Sequence, residues 1–166
     1  HGTGNLGGTD SHGVALPGGD VIKYRVDPLG RRIGRERTGS LTEARYFLYQ
    51  DALRPVAELD QDQKLYRQFV YASKRNVPDF FYQFDAAGAV SGTYRILSDP
   101  LGSPRVVVDT AGVVMERMTH DEWGNLAAYD VDTSAGYRPI PFGFAGGLYD
   151  EATGLVRFGA RDYDPE

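Results

Sequence analysis

The feature that most constrains this chain is a turn that keeps returning. Asp27-Pro28-Leu29-Gly30, Asp85-Ala86-Ala87-Gly88, Asp99-Pro100-Leu101-Gly102, Asp109-Thr110-Ala111-Gly112 and Asp121-Glu122-Trp123-Gly124 all read Asp-x-x-Gly, and Glu151-Ala152-Thr153-Gly154 repeats the frame with glutamate. In a type I turn an aspartate at the first position accepts a hydrogen bond from the N–H two residues on. Proline at the second presets φ, and glycine at the fourth takes left-handed geometry. From Asp85 to Asp121 the turns fall about 10 to 14 residues apart, which leaves room for strands of roughly 5 to 8 residues and little else. The residues singled out by this reading are therefore structural: the turn aspartates 27, 85, 99, 109 and 121 with the turn glycines 30, 88, 102, 112, 124 and 154.

Composition points the same way. The 166 residues include 21 Gly, 9 Pro, 11 Tyr and 8 Phe, so glycine and proline punctuate the chain while aromatic residues favour strands. The fold class expected is all-β, an antiparallel hairpin series with little or no helix. Tyr94-Arg95-Ile96-Leu97, Arg105-Val106-Val107-Val108 and Val113-Val114-Met115-Glu116-Arg117-Met118 should pair as a meander. Residues 43–53 and 57–71 also carry apolar side chains at helical offsets. For the second, the polar run Asp60-Gln61-Asp62-Gln63-Lys64 is equally readable as a hairpin loop, and the hairpin is the expectation adopted.

Several function classes are disfavoured. No cysteine is present, which removes disulfides, thiolate metal sites and cysteine nucleophiles together. The net charge of -5, with Lys and Arg dispersed along the chain, lacks the basic footprint of phosphate-backbone binding, so nucleic acid is not an expected partner. No run approaches the roughly 18 apolar residues of a membrane helix, and no signal peptide is evident. His1, His12 and His120 have no second ligand at metal spacing. The aspartates come with the glycine a turn demands rather than with the crowded oxygen ligands of calcium. Gly143-Phe144-Ala145-Gly146-Gly147 lacks the Lys-Ser/Thr and helix start of a phosphate loop and reads as a tight bend, and no serine sits in a Gly-x-Ser-x-Gly elbow. Tyr46, Phe47, Tyr49, Phe80, Phe81, Tyr82 and Phe84 are read as packing across strands rather than as a sugar platform. No cofactor is expected.

Residues 1–20 form a glycine-rich leader or partial first repeat, residues 21–96 the hairpins, and residues 97–166 a distinct region cut short at its C-terminus. The chain begins at His1 rather than methionine, as expected of a processed product or a piece of something longer. Ordering the leader carries a high backbone entropy cost, so it should be held along a sheet edge, by a neighbouring copy or by the last strand at residues 155–160.

Aligned on their turns, the segments share an internal repeat of strand, Tyr or Phe, a short spacer, Asp, two residues and Gly. Tyr24-Arg25-Val26-Asp27-Pro28-Leu29-Gly30, Tyr82-Gln83-Phe84-Asp85-Ala86-Ala87-Gly88 and His120-Asp121-Glu122-Trp123-Gly124 carry it most clearly. This pattern resembles the YD-repeat (Rhs) family. Leu97-Ser98-Asp99-Pro100-Leu101-Gly102-Ser103-Pro104, Pro141-Phe142-Gly143-Phe144-Ala145-Gly146-Gly147 and the block from Tyr149 to Glu166 resemble its Rhs-associated core. The resemblance implies a β-ribbon spiralling into a hollow shell, which encloses a C-terminal toxin in Rhs effectors and in Tc toxin C components; related proteins form cell-surface and extracellular structures. It also implies a secreted or bacterial-surface location, and neighbouring repeats, copies of the chain or an enclosed toxin as partners. In that family the core is an aspartic autoprotease that uses an arginine in Arg-x-Tyr-Asp-Pro and two later Asp-Pro-x-Gly aspartates. Arg161 matches the arginine, while the aspartates would lie beyond Glu166, so no catalytic residue is assigned. The leading expectation is a structural, non-enzymatic shell segment. The alternatives are a self-assembling extracellular fibre or tube subunit, and the upstream part of an autoprotease core.

Overall fold

The computed structural model describes residues 10–134 and 136–165, with side chains from Gly13 onward. Eleven strands lie side by side in sequence order, every pair antiparallel. They are β1 (Asp10–Ala15), β2 (Val21–Val26), β3 (Arg32–Thr38), β4 (Glu43–Tyr49), β5 (Pro55–Leu59), β6 (Leu65–Val70), β7 (Phe80–Phe84), β8 (Val90–Ser98), β9 (Pro104–Asp109), β10 (Val114–His120) and β11 (Leu126–Val131). A three-stranded sheet follows, β12 (Leu148–Tyr149), β13 (Val156–Phe158) and β14 (Arg161–Tyr163), preceded by a 3-10 turn at Phe144–Gly146. Residues 43–49 and 55–70 are strands with the Asp60 loop between β5 and β6, so the helical offsets there carry no helix. The period-2 burial explains why: in β6 buried Arg67 and Phe69 flank exposed Gln68, and in β8 Tyr94 and Ile96 alternate with exposed Arg95 and Leu97.

One turn design builds most of the sheet. At Asp27, Asp60, Asp85, Asp99, Asp109 and Asp121 the carboxylate Oδ1 accepts the N–H four residues on. The aspartate's own carbonyl accepts the N–H three residues on, from Gly30, Gln63, Gly88, Gly102, Gly112 and Gly124 respectively. All six of these residues have positive φ, and at the Asp60 turn it is Gln63, at φ 59°, that takes the place the others give to glycine. After each turn one residue is extra: Val26 faces Arg32 while Arg25 faces Gly34, Leu59 faces Leu65 while Glu58 faces Arg67, and Phe84 faces Val90 while Gln83 faces Gly92. A bulge repeated beside successive turns increases local twist and bends the sheet. Eight flat spacings from β3 to β11 would separate them by about 38 Å, yet Arg35 of β3, Arg45 of β4, Met118 of β10 and Tyr129 of β11 line one cavity. The sheet is curled, and its concave face holds the core of Phe47, Phe69, Phe81, Tyr94, Ile96, Val107, Met115 and Met118.

Two expectations are corrected. The described part of the leader is not held by residues 155–160. Leu16-Pro17-Gly18-Gly19 turns the chain back, with Leu16 N–H on the Asp20 carbonyl at 2.8 Å, and β1 pairs with β2 from Asp10↔Val26 to Ala15↔Val21. The last turn begins at Asp150 rather than Glu151: the Gly154 N–H reaches the Asp150 carbonyl at 2.8 Å and the Ala152 N–H reaches Asp150 Oδ1 at 3.0 Å. A shorter carboxylate side chain closes an Asx turn, and Asp150 has it where Glu151 does not.

Candidate functional site

After β11 the chain leaves the sheet edge and crosses the concave face as a strap, described at residues 132–134 and 136–143. Tyr137, Ile140 and Phe142 sink into the core, where Phe142 meets Phe69 edge to face and Tyr137 meets Tyr94. Polar side chains of the sheet grip the strap by its main chain. Arg67, at 0% exposure, donates to the carbonyl of Pro139 at 2.8 Å and to that of Arg138. Gln83 Nε2 donates to the Gly136 carbonyl at 3.2 Å, and Glu116 Oε2 accepts the Ile140 N–H at 3.0 Å together with the Tyr137 hydroxyl. Glu58, Arg67 and Gln83 are opposite neighbours across β5, β6 and β7, so a polar row runs through the floor of the concave face. Burial pushes the Glu116 carboxyl up, more than its hydrogen bonds from Tyr137, Ile140 and Tyr129 pull it down.

Beyond the strap the small sheet ties the two ends of the curl together. Asp150, 2% exposed, accepts from Tyr24 Oη at 2.6 Å and from Arg35 Nε at 2.8 Å. Burial alone would raise its carboxyl, but Arg35 and Tyr24 outweigh burial and hold it below the usual carboxylate range. Asp162 pairs with Arg32 at 3.0 Å and with Arg157 at 2.7 Å, and Arg157 also donates to the Gly30 carbonyl. These contacts hold β13–β14 against β2–β3. On the other side Tyr163 Oη donates to the Trp123 carbonyl at 2.6 Å, and its ring lies 6.1 Å from that of Phe144. Between the curl, the strap and the small sheet lies a cavity of about 510 Å³ lined by Arg35, Arg45, Glu116, His120, Tyr129 and Asp150 among others.

The residues singled out from sequence occupy the hairpin ends. Asp27 and Asp99, which carry the Asp-Pro-x-Gly letters, are each bound by turn N–H groups and by an arginine, Arg31 and Arg105. Asp85, Asp109 and Asp121 accept from their own turns, Gly88 and Gly112 face open space, and Gly124 packs against Phe144. Arg161 is exposed on β14, opposite Phe158. Aspartic proteolysis needs two carboxylates sharing a proton; Asp27, Asp99, Asp150 and Asp162 are each neutralised by arginine instead. His120 is 8% exposed beside Phe144. Sequence reading missed the buried row of Glu58, Arg67, Gln83 and Glu116. Arg67 shares inward parity with Phe69, and a charge at an inward strand position was the available signal.

Comparison with known proteins accounts for this architecture. The family model described as Teneurin YD-shell matches residues 14–166. Teneurin-1 of Gallus gallus is 30% identical over 151 residues, covering 88% of this chain and 5% of that protein. The tRNA3(Ser)-specific nuclease WapA of Bacillus spizizenii is 28% identical over 149 residues, covering 86% of this chain and 6% of that protein. The chain thus spans about one-twentieth of the length of these curated relatives. Among solved structures, TcdB2-TccC3 without its hypervariable C-terminal region superposes with a TM-score of 0.63 at 19% identity, over 88% of this chain and 7% of that one. An in-order curled sheet, the repeated Asp turn and a match over nearly the whole chain converge: this protein belongs to the teneurin YD-shell family.

Proposed function

We propose that the chain works as a wall panel of a YD-type shell. The observation that carries this is the sheet itself: eleven strands in sequence order, with β1 and β11 each paired on one side only among the described residues. A hairpin ribbon of this kind grows by adding strands at its edges, and an uncovered edge is a template for the next strand. The bulged turns supply curvature, and the strap and small sheet brace the concave side. In this reading the partners are flanking YD repeats, and the space on the concave side is where a polypeptide such as a toxin would be enclosed. Residues 97–166 are the core-like closing part of the panel, although β8 runs through residue 97 as one strand. A secreted or cell-surface setting goes with this role; among the described residues no helix is long and apolar enough to cross a membrane. Cryo-electron microscopy of the chain joined to flanking YD repeats tests the panel. Strands continuing beside β1 and β11 support it, and a sheet that ends there overturns it.

The same open edges favour a second reading, pairing between copies into a fibre or tube. Light scattering separates them: a particle of 18.3 kDa fits a solitary panel, whereas growing polymers fit self-assembly. The autoprotease reading finds its support in Arg161 alone, and self-cleavage at one defined bond would be its signature.

A further inference from the structure

We infer that the concave face beside the strap is a binding site for a second extended polypeptide, held by its main chain and tolerant of its sequence. This deepens the panel reading and rests on it, by naming what the inner wall grips and with which atoms.

The first observation is how the strap is held. Arg67 and Gln83 bind its carbonyls at residues 136, 138 and 139, Glu116 binds the N–H of Ile140, and Ser103 Oγ accepts the N–H of Ala145 at 2.9 Å. Asn76 Nδ2 donates to the Ala145 carbonyl at 2.9 Å. These side chains read peptide groups, which every residue presents alike.

The second observation is what this row leaves unused. The donors of Arg67 Nη1, Nη2 and Gln83 Nε2 are spent on strap carbonyls, while the buried Arg67 Nε, Gln83 Oε1 and Tyr66 hydroxyl have no hydrogen-bond partner, and Glu58 Oε1 has only the Arg45 guanidinium at 3.5 Å. Glu58 is 0% and Gln83 6% exposed. Buried polar atoms are rarely left this way, and here they cluster. Glu58, Tyr66 and Gln83 all line a second cavity, about 720 Å³, which runs along Gly136, Arg138 and Pro139 of the strap. That volume lies in the range of about 300–1,000 Å³ typical of ligand sites.

The chemistry of the missing partner follows from the charges. Glu58 already faces Arg67 at 3.2 Å and Arg45 at 3.5 Å, so a further cation meets two guanidinium groups, and an anion meets Glu43 and Glu58. An uncharged group that both donates and accepts suits Gln83 Oε1, the Tyr66 hydroxyl and Arg67 Nε together. Extended peptide supplies N–H and C=O groups at a regular spacing along its length. Arg138, exposed and with its guanidinium 5.3 Å from the Tyr66 ring centroid, borders the same cavity.

The test uses the full chain labelled for NMR. The probes are a ten-residue Gly-Ser-Thr peptide, an unrelated uncharged peptide of equal length, the first peptide with alternate amides N-methylated, and maltose. The inference expects both unmodified peptides to shift the Gln83 side-chain amide and the Gly136 signal at millimolar concentration. N-methylation, or Gln83→Leu, should weaken binding about tenfold, the effect of losing one buried hydrogen bond. Should Gln83→Leu not fold, Tyr66→Phe removes a single hydroxyl and should weaken binding in the same direction. Absence of shifts, equal binding of the N-methylated peptide, or a response to maltose alone would overturn the inference. Because strand continuation at β1 and β11 is measured separately, a shell panel with an inert inner face would sink this inference and leave the panel standing.

Discussion

Two chemically identical substitutions in the repeated turn should differ in cost for a reason visible in the structure. Gly88 and Gly102 occupy the same turn position with φ 83° and 93°. A Cβ at Gly88 meets nothing within 4 Å, whereas at Gly102 it would lie 2.2 Å from Asn76 Nδ2 and 2.8 Å from its Cγ. Left-handed geometry costs an alanine about 1–2 kcal/mol, and the less flexible unfolded chain returns about 0.4–1 of it, so Gly88→Ala should cost about 1 kcal/mol. Gly102→Ala carries that cost and also expels Asn76, whose amide donates to the carbonyls of Leu101 at 2.7 Å and Ala145 at 2.9 Å. Two hydrogen bonds are worth about 0.5–1.5 kcal/mol each. Asn76 is exposed, which places the pair near the lower end, for a total of about 2–3 kcal/mol. At about 2–4 °C per kcal/mol for a chain of this size, calorimetry should show Gly102→Ala melting several degrees below Gly88→Ala. In an Asn76→Ala background the excess should vanish. Equal melting temperatures for the two variants, or an excess that survives removal of Asn76, would refute the reasoning.

Other expectations are as direct. Gln63→Gly should stabilise the chain by about 0.5–1 kcal/mol in urea titration, because Gln63 holds φ 59° in a turn otherwise built like the glycine-bearing ones. Asp150→Asn should cost about 3 kcal/mol, since it leaves Arg35, 14% exposed, without its buried carboxylate. The Asp150 carboxyl is depressed in the fold, so its contribution is present above the ordinary value of 3.8 and lost as pH falls through the folded pKa; the Asn variant should have a flatter acid limb. Glu116 has the opposite sign: its carboxyl is raised from 4.5, so its contribution is full below that value and falls as pH rises through the folded pKa. Glu116→Gln should remove that decline above pH 4.5, as followed by urea midpoints.

The turns were the most legible part of the molecule because their chemistry is local. Asp27, Asp85, Asp99, Asp109 and Asp121 each bind N–H groups within four residues, and the glycine that follows advertises the geometry. The Asp60 turn was readable as a loop but not as a member of the series, since Gln63 lacks the glycine signature. For the described part of the leader, edge pairing was legible from entropy but its partner was not: Leu16-Pro17-Gly18-Gly19 delivers it to the adjacent β2 rather than to residues 155–160. The strap and the small sheet were illegible for another reason. Their positions depend on partners far off in the chain, from Glu116 with the Ile140 N–H to Arg67 with the Pro139 carbonyl and Tyr24 with Asp150. Nothing local in a strand of Leu65-Tyr66-Arg67-Gln68-Phe69 says which distant carbonyl its arginine will find.

Backbone hydrogen exchange across the sheet tests the central claim, a panel that takes up flanking repeats at β1 and β11, most directly. In the chain by itself the interior strands β5 to β7 should exchange slowly, while the outward N–H groups of β1 and β11 exchange quickly. Joined to flanking YD repeats, those edge amides should become protected to the level of the interior strands. Edge amides already protected in a solitary monomer, or still unprotected when the repeats are attached, would contradict the account.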